Sequence, residues 1–63
     1  MKVIFTIIDN IDGIEYSSDK YDIFFFQDVV EIYEMEDHFH HIDKLENDEF
    51  GSGWKIRIDK QIE

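Results

Sequence analysis

Four acidic residues spaced three positions apart are the side chains of this sequence with the clearest potential for chemistry. They are Asp28, Glu31, Glu34 and Asp37. On a helix, residues three apart lie on one face, and each step of three rises by about 4.5 Å. A single DNA strand carries one phosphate per roughly 3.4 Å of axis. The row would therefore have a charge density of the same order as a nucleic-acid backbone, and it could occupy a surface that binds phosphates.

Three histidines, His38, His40 and His41, raise the alternative of a metal site. A helix would present His38 and His41 together, at i and i+3. Each histidine, however, has an acidic residue four positions before it, and such pairing favours the protonated imidazolium and explains the histidines without a metal. We predict no metal ligands and no cofactor.

Other catalytic patterns are missing from the sequence. The three glycines, at positions 13, 51 and 53, form no phosphate-binding loop, and the chain has no cysteine nucleophile. A chain of 63 residues is also short for a cleft with the side chains that must support it. The sequence therefore predicts a protein that is not an enzyme.

The net charge of −10 comes from 16 acidic residues against six lysines and arginines, and it is unevenly distributed. Residues 9–50 hold 14 acids and two lysines, a net −12, and the flanking residues carry +2. Phosphate contacts need lysine and arginine, so this balance opposes direct nucleic-acid binding. It favours a partner with a basic surface.

Strands are predicted at both ends of the chain. Residues 2–9 are rich in β-branched and aromatic side chains, and residues 14–17 alternate apolar with polar. Asp12-Gly13 between them suits a tight turn, so we expect a β-hairpin. Residues 54–62 place Trp54 and three isoleucines on one face and mostly charged residues on the other, which indicates a third strand.

Residues 20–46 match a helical period better than a period of two. The apolar positions at steps of three and four are Phe25, Val29, Ile32, Met35, Phe39, Ile42 and Leu45. We predict one long helix here, although the β-branched and aromatic residues between positions 23 and 33 have lower helix propensity. A strand at Asp22–Phe26 followed by a shorter helix is the alternative.

The expected fold class is therefore α+β, with an antiparallel three-stranded sheet and one long helix in β-β-α-β order, as a single small domain over residues 1–63. A chain of this size buries only about 60% of its unfolded surface, so we expect dimerisation to complete the fold. Nothing in the sequence resembles a signal peptide or a membrane-spanning run, and we expect a cytoplasmic protein.

Three consecutive phenylalanines, at positions 24–26, cannot all face one core on a helix because neighbours are about 100° apart. Phe24 or Phe26 should then lie near the surface, together with Tyr21, Tyr33 or Val30. We predict that an aromatic side chain of Phe24, Phe26 or Tyr33 is an anchor for a partner, flanked by acids that steer docking. The alternative is a second buried face that a homodimer covers.

The order of elements resembles that of the small acidic inhibitors of uracil-DNA glycosylase that some bacteriophages encode. The similar segments are the strand Val3–Asp9, the turn at Asp12-Gly13 with Tyr16 after it, residues 28–33, and the strand Lys55–Lys60. The resemblance implies a dimeric DNA mimic that occupies the DNA-binding groove of an enzyme. Phage inhibitors of restriction or CRISPR nucleases follow the same physical principle.

The functional hypothesis is a phage-encoded, non-enzymatic inhibitor acting in the host cytoplasm. Its carboxylates would stand in for phosphates on a basic nucleic-acid-binding protein, and an aromatic side chain would be buried in that partner. The alternative hypothesis is a small homodimeric assembly module with a solvated acidic face and no DNA-mimic role.

Overall fold

In the part of the chain that the structure describes, all regular secondary structure is β-strand. A computed structural model describes residues 2–62. The strands are β1 (Lys2–Asp9), β2 (Glu15–Ser17), β3 (Tyr21–Phe26), β4 (Val29–Glu34), β5 (His41–Glu46) and β6 (Trp54–Ile62). Residues 2–62 contain no helix, and hence none long and apolar enough to cross a membrane. The predicted α+β fold, with one long helix in β-β-α-β order, is therefore wrong.

The six strands form two antiparallel sheets of three. The first sheet has the order β2-β1-β6, and the second sheet has the order β3-β4-β5. In the first sheet, β1 pairs with β6 from Lys2 opposite Ile62 to Asp9 opposite Trp54. The register shifts once along this pair, between Ile4 and Phe5 on β1. Strands β1 and β4 are central, and each has a neighbour on both sides.

The strands predicted at the two ends of the chain are confirmed. β1 is apolar on both faces, as suits a central strand, and β2 follows it after a turn in which Gly13 has a φ of 75°. The Asp9 carboxylate builds this turn, because its Oδ1 accepts hydrogen bonds from the backbone N–H groups of Ile11 and Asp12, at 2.8 and 3.1 Å. The predicted hairpin is thus present.

Residues 20–46 form the second sheet in place of a helix. The alternative of a strand at Asp22–Phe26 is confirmed as β3, whereas the shorter helix after it is wrong. The seven apolar positions of the supposed helical stripe are divided between the two faces of the sheet and a loop. Aromatic and β-branched side chains are concentrated in β3 and β4, where their preference for the pleated sheet outweighs an accidental helical spacing.

The core lies between the two sheets and is small. Its buried apolar side chains are Ile7, Tyr16, Val30, Ile32 and Leu45. The partly buried side chains packed against them are Phe5, Tyr21, Ile23 and Trp54. Both sheets contribute to this cluster, so neither sheet could bury its apolar face alone.

Polar contacts join the sheets around this core. The Tyr16 hydroxyl of β2 donates a hydrogen bond to Oδ2 of Asp43 on β5, at 3.0 Å. At the other end, the Trp54 indole Nε1 donates to the backbone carbonyl of Asp28 at 2.9 Å, and the Trp54 backbone N–H donates to Oδ1 of Asn47 at 2.8 Å. These bonds hold the second sheet in one position on the first.

We predict that Tyr16→Phe destabilises the fold, because it leaves Oδ2 of the partly buried Asp43 carboxylate without its donor. The expected loss at neutral pH is about 1 to 3 kcal/mol, measured by urea unfolding with Trp54 fluorescence. Tyr33→Phe, which alters a hydroxyl outside the core, is the matched control. Equal stability of Tyr16→Phe and the unmodified protein would contradict this role.

The same contact predicts a loss of stability in alkali. Burial, followed by the hydrogen bond to Asp43 and nearby charges, raises the pKa of Tyr16 from 10.0 to about 12. The stabilisation is therefore complete below pH 10 and is lost as the pH rises through about 12, because the folded state holds the phenol proton more tightly than the unfolded chain. Tyr16→Phe should lessen this alkaline decline.

Candidate partner-binding face

The outer face of the second sheet points away from the core and carries an unusual number of aromatic side chains. Directly opposite residues share a face, and Phe24 lies opposite Glu31 while Phe26 lies opposite Val29. Val30 and Ile32 are buried on the inner face, so strand alternation directs Glu31 and Tyr33 outwards. Phe24 and Phe26 are both exposed.

Ring contacts organise this outer face. The rings of Phe24 and Tyr33 meet edge to face, with centroids 5.6 Å apart and planes at 81°. The Tyr33 ring also stacks with His41 of β5, with centroids 5.0 Å apart and planes at 24°. Aromatic pairs prefer such geometries, and they hold the Tyr33 ring between two strands.

The β4–β5 loop adds two more rings at the edge of this face. Asp37 shapes the loop, because its Oδ1 accepts a hydrogen bond from the Phe39 N–H at 3.2 Å and its carbonyl accepts one from the His40 N–H at 2.9 Å. The rings of His38 and Phe39 lie against each other, with centroids 4.4 Å apart. Phe39 is 85% exposed.

These side chains enclose a shallow hollow of about 280 Å³, which we call the aromatic depression. It is lined by Phe24, Phe26, Glu31, Tyr33, His38 and Phe39. Four of the six are phenylalanine or tyrosine, and one is a carboxylate. A hollow of this composition can bury an apolar or aromatic surface and can also pair with a positive charge.

The carboxylate of Glu31 is held in place by its neighbour on the same face. The Tyr33 hydroxyl donates a hydrogen bond to Oε1 of Glu31 at 3.2 Å. Desolvation, followed by the charge and hydrogen bond of Glu31, raises the pKa of Tyr33. Lys44 is opposite Glu31 on β5, but its Nζ pairs with Oε1 of Glu46 at 3.5 Å.

The negative charge is concentrated on the second sheet. Residues 21–46, from the start of β3 to the end of β5, contain eight acidic residues and one lysine, a net −7. All other residues together contribute −3. The aromatic depression therefore lies on the more acidic half of the protein.

The first sheet, in contrast, neutralises its own charges on its outer face. Nε of Arg57 donates to Oδ1 of Asp59 at 2.8 Å, and its Nη2 pairs with Oε1 of Glu15 at 3.0 Å. The Thr6 hydroxyl donates to the other oxygen of Asp59. The hydrogen bond from Thr6, followed by Arg57, lowers the pKa of Asp59, and the bonds to Asp59 and Glu15 raise the pKa of Arg57.

The predicted row of four carboxylates does not exist. A strand has a period of two, so an odd step of three residues changes face, and Glu34 lies on the side of β4 opposite to Glu31. Asp28 lies in the turn between β3 and β4, and Asp37 lies in the β4–β5 loop. The row was wrong because it required the helix.

The side chains of the predicted aromatic anchor, in contrast to the carboxylates, do lie close together. The structure brings Phe24, Phe26 and Tyr33 together on one face and adds Glu31 to them. The sequence reasoning missed that Phe39 and His38 belong to the same group, because it placed Phe39 in the core stripe of the helix. The run Glu36-Asp37-His38 was the available signal, since aspartate with polar neighbours is typical of a turn.

The three histidines are divided among these features and form no common site. His38 lies in the depression, His41 stacks on Tyr33, and the His40 N–H closes the loop. Within residues 2–62, no three histidine or acidic side chains are close enough together to hold a metal ion.

No protein-family model matches the chain, and neither a curated protein nor a solved structure shows significant similarity to it. The outer face of the second sheet, with its exposed phenylalanines and the carboxylate of Glu31, is the feature that indicates a function.

We predict that the pKa of Tyr33 depends on Glu31. Glu31→Gln removes a negative charge and a charged acceptor, so the pKa of Tyr33 should fall towards its ordinary value of 10.0. It should stay above that value, because desolvation, the largest cause, remains. The measurement is a pH titration of the Tyr33 ring by NMR. Glu49→Gln, which removes an equal charge from an exposed loop, should leave the pKa unchanged, and an equal fall in both variants would contradict the contact.

Proposed function

We propose that this protein is a non-enzymatic acidic inhibitor that acts in the cytoplasm and occludes the nucleic-acid-binding surface of another protein. The observation that carries the proposal is the position of the aromatic depression, with Glu31 in its wall, on the sheet that bears a net charge of −7. The expected target is a host DNA-processing or defence enzyme, such as a uracil-DNA glycosylase or a restriction or CRISPR nuclease, and the expected source is a bacteriophage.

Charge supplies the approach to such a target. Nucleic-acid-binding surfaces are rich in lysine and arginine, and a partner of opposite charge is attracted over about a Debye length, roughly 10 Å at 0.1 M salt. The acidic second sheet would therefore be steered towards the surface that normally receives DNA. The first sheet, whose Arg57 is already paired with Glu15 and Asp59, would face away.

The carboxylates are spread over the second sheet instead of following a line. On the outer face, Glu31 lies within β4, while Asp28 and Asp37 lie in the connections at its two ends. β4 has six residues, so these ends are about 20 Å apart. That distance corresponds to about six phosphate spacings along one DNA strand. The protein would thus mimic the negative charge of DNA and the length of a short DNA segment, without the regular spacing of the phosphates.

Aromatic side chains supply the affinity that charge alone does not. Exposed ion pairs contribute about 0 to 1 kcal/mol each, whereas a buried aromatic anchor at the centre of an interface contributes about 2 kcal/mol or more. Phe24, Phe26 and Phe39 are exposed in the free protein and would be covered in the complex.

We expect the immobilised protein to retain a nucleic-acid-binding protein from bacterial lysate, to release it as salt rises, and to displace labelled duplex DNA from it. For a double variant, Glu31→Lys with Phe26→Ala, the concentration needed to displace half of the labelled duplex should rise by about 30-fold or more. This is the loss of affinity expected when an anchor residue is removed. Anisotropy of the labelled duplex is the measurement.

The matched control is the double variant Glu49→Lys with Phe50→Ala. It makes the same charge change and removes a ring that is 86% exposed, but it lies in the β5–β6 connection. This control should displace DNA as well as the unmodified protein does. Displacement that ignores salt, or an equal loss in both double variants, would contradict the proposal.

A second candidate function, a homodimeric assembly module, is favoured by the uncovered surface of β6. Ile56 and Ile58 lie opposite Ile7 and Phe5 and share their apolar face, yet they are 49% and 56% exposed. β6 is also an edge strand in its sheet. A second copy could cover the isoleucines and pair with this edge. The same contact would make the inhibitor a homodimer.

Sedimentation velocity tests this candidate. If β6 forms the contact, the protein sediments as a dimer, and Ile58→Lys converts it to a monomer because a buried lysine would have no partner there. Ile11→Lys, in the exposed β1–β2 turn, should remain dimeric. A monomeric unmodified protein would exclude the assembly module but would not affect the inhibitor proposal.

A further inference from the structure

The composition of the aromatic depression indicates which part of a partner it receives. We propose that it binds one arginine side chain, with the guanidinium against the aromatic rings and paired with Glu31. This inference deepens the proposed function and rests on it for the nature of the partner. The chemistry of the occupant is argued from the depression itself.

The rings provide suitable surfaces for a cation. The faces of aromatic rings are negative, and a cation within about 6 Å of a ring centroid is attracted to them. Phe24 and Tyr33 meet at 81°, so their rings form two walls at nearly a right angle. His41 stacks on Tyr33 and fixes the orientation of that wall. Phe39 projects from the loop with most of its ring uncovered.

Glu31 provides the charge that an arginine requires. Its Oε1 already accepts the Tyr33 hydroxyl at 3.2 Å, and an ionised carboxylate has about four acceptor positions, so a guanidinium can still be accommodated. The nearest lysine across the strand pair, Lys44, is engaged with Glu46. The Tyr33 hydroxyl is the donor in its bond to Glu31, so it orients the Glu31 carboxylate within the depression.

Other occupants fit less well. A purely apolar side chain would cover the Glu31 carboxylate without pairing it, and a buried unpaired charge is costly. An anion would be repelled by the net −7 of the sheet. Lysine carries a compact, strongly hydrated ammonium, whereas the planar guanidinium is weakly hydrated and stacks on rings. The volume of about 280 Å³ is below that of pockets for drug-sized molecules, and it suits a single side chain.

The test is an NMR titration with three small amides: Nα-acetylarginine amide, Nα-acetyllysine amide and Nα-acetylcitrulline amide. Citrulline has nearly the shape of arginine but no charge. We expect arginine to shift the ring signals of Phe24, Tyr33 and Phe39, and to bind at least about fivefold more tightly than citrulline, with lysine between them. Equal binding of arginine and citrulline would overturn the proposal, as would the absence of ring shifts up to the solubility limit.

Matched variants separate the depression from general attraction to an acidic protein. Phe39→Ala should weaken arginine binding by about two- to fivefold, the range for one cation–ring contact at an exposed site, and Phe50→Ala should not. Glu31→Gln should weaken arginine binding more than Phe39→Ala does, and Glu49→Gln should have little effect on arginine binding. These positions are exposed or half-buried, and an unchanged amide spectrum verifies the fold. Equal losses in variant and control would show general charge attraction and would overturn the proposal.

A failure of the arginine-binding inference can be distinguished from a failure of the proposed inhibitor function. If the protein displaces DNA from a partner but arginine amide does not bind, the inference about the depression is wrong and the inhibitor proposal remains. If arginine amide binds at the depression but no nucleic-acid-binding protein is retained, the site is correct and the inhibitor proposal is wrong.

Discussion

The alternation of side chains along β4 is the constraint on which the rest of the structure depends. β4 is the centre of the second sheet, and its Val30 and Ile32 are fully buried between the sheets, while Glu31 and Tyr33 point to the other side. One short strand therefore supplies two core residues and two residues of the aromatic depression. A shift of its register by one residue would expose the core and bury the carboxylate, so fold and binding face cannot vary independently.

The first sheet could be predicted because its signals are local and agree with one another. β1 is rich in β-branched and aromatic side chains, Asp12-Gly13 provides the turn before β2, and β6 alternates apolar with polar side chains from Trp54 to Asp59. Where propensity, period and turn residues agree, the sequence identifies the strand.

The second sheet was missed for two physical reasons. Its first turn uses Gln27 at a φ of 57°, where a glycine would have marked the break, so residues 21–34 look continuous. Its outer face mixes Val29, Glu31 and Tyr33, which hides the period of two behind an accidental helical spacing. Phe24 and Phe26 still lie on one face, because residues two apart share a face on a strand. The carboxylate row was lost, because residues three apart do not.

The pairing of β1 with β6 has a consequence for the order of folding. The second sheet joins neighbours in the sequence, such as Phe26 and Val29, whereas the first sheet must bring Asp9 to Trp54 across most of the chain. Closing the longer loop costs more chain entropy before any contact compensates for it, and contacts between distant residues slow folding. We therefore expect the acidic hairpins to form early and β6 to dock last. Until it docks, one edge of β1 has unpaired backbone N–H and C=O groups, and we expect the strong net charge to oppose association of such partly folded chains.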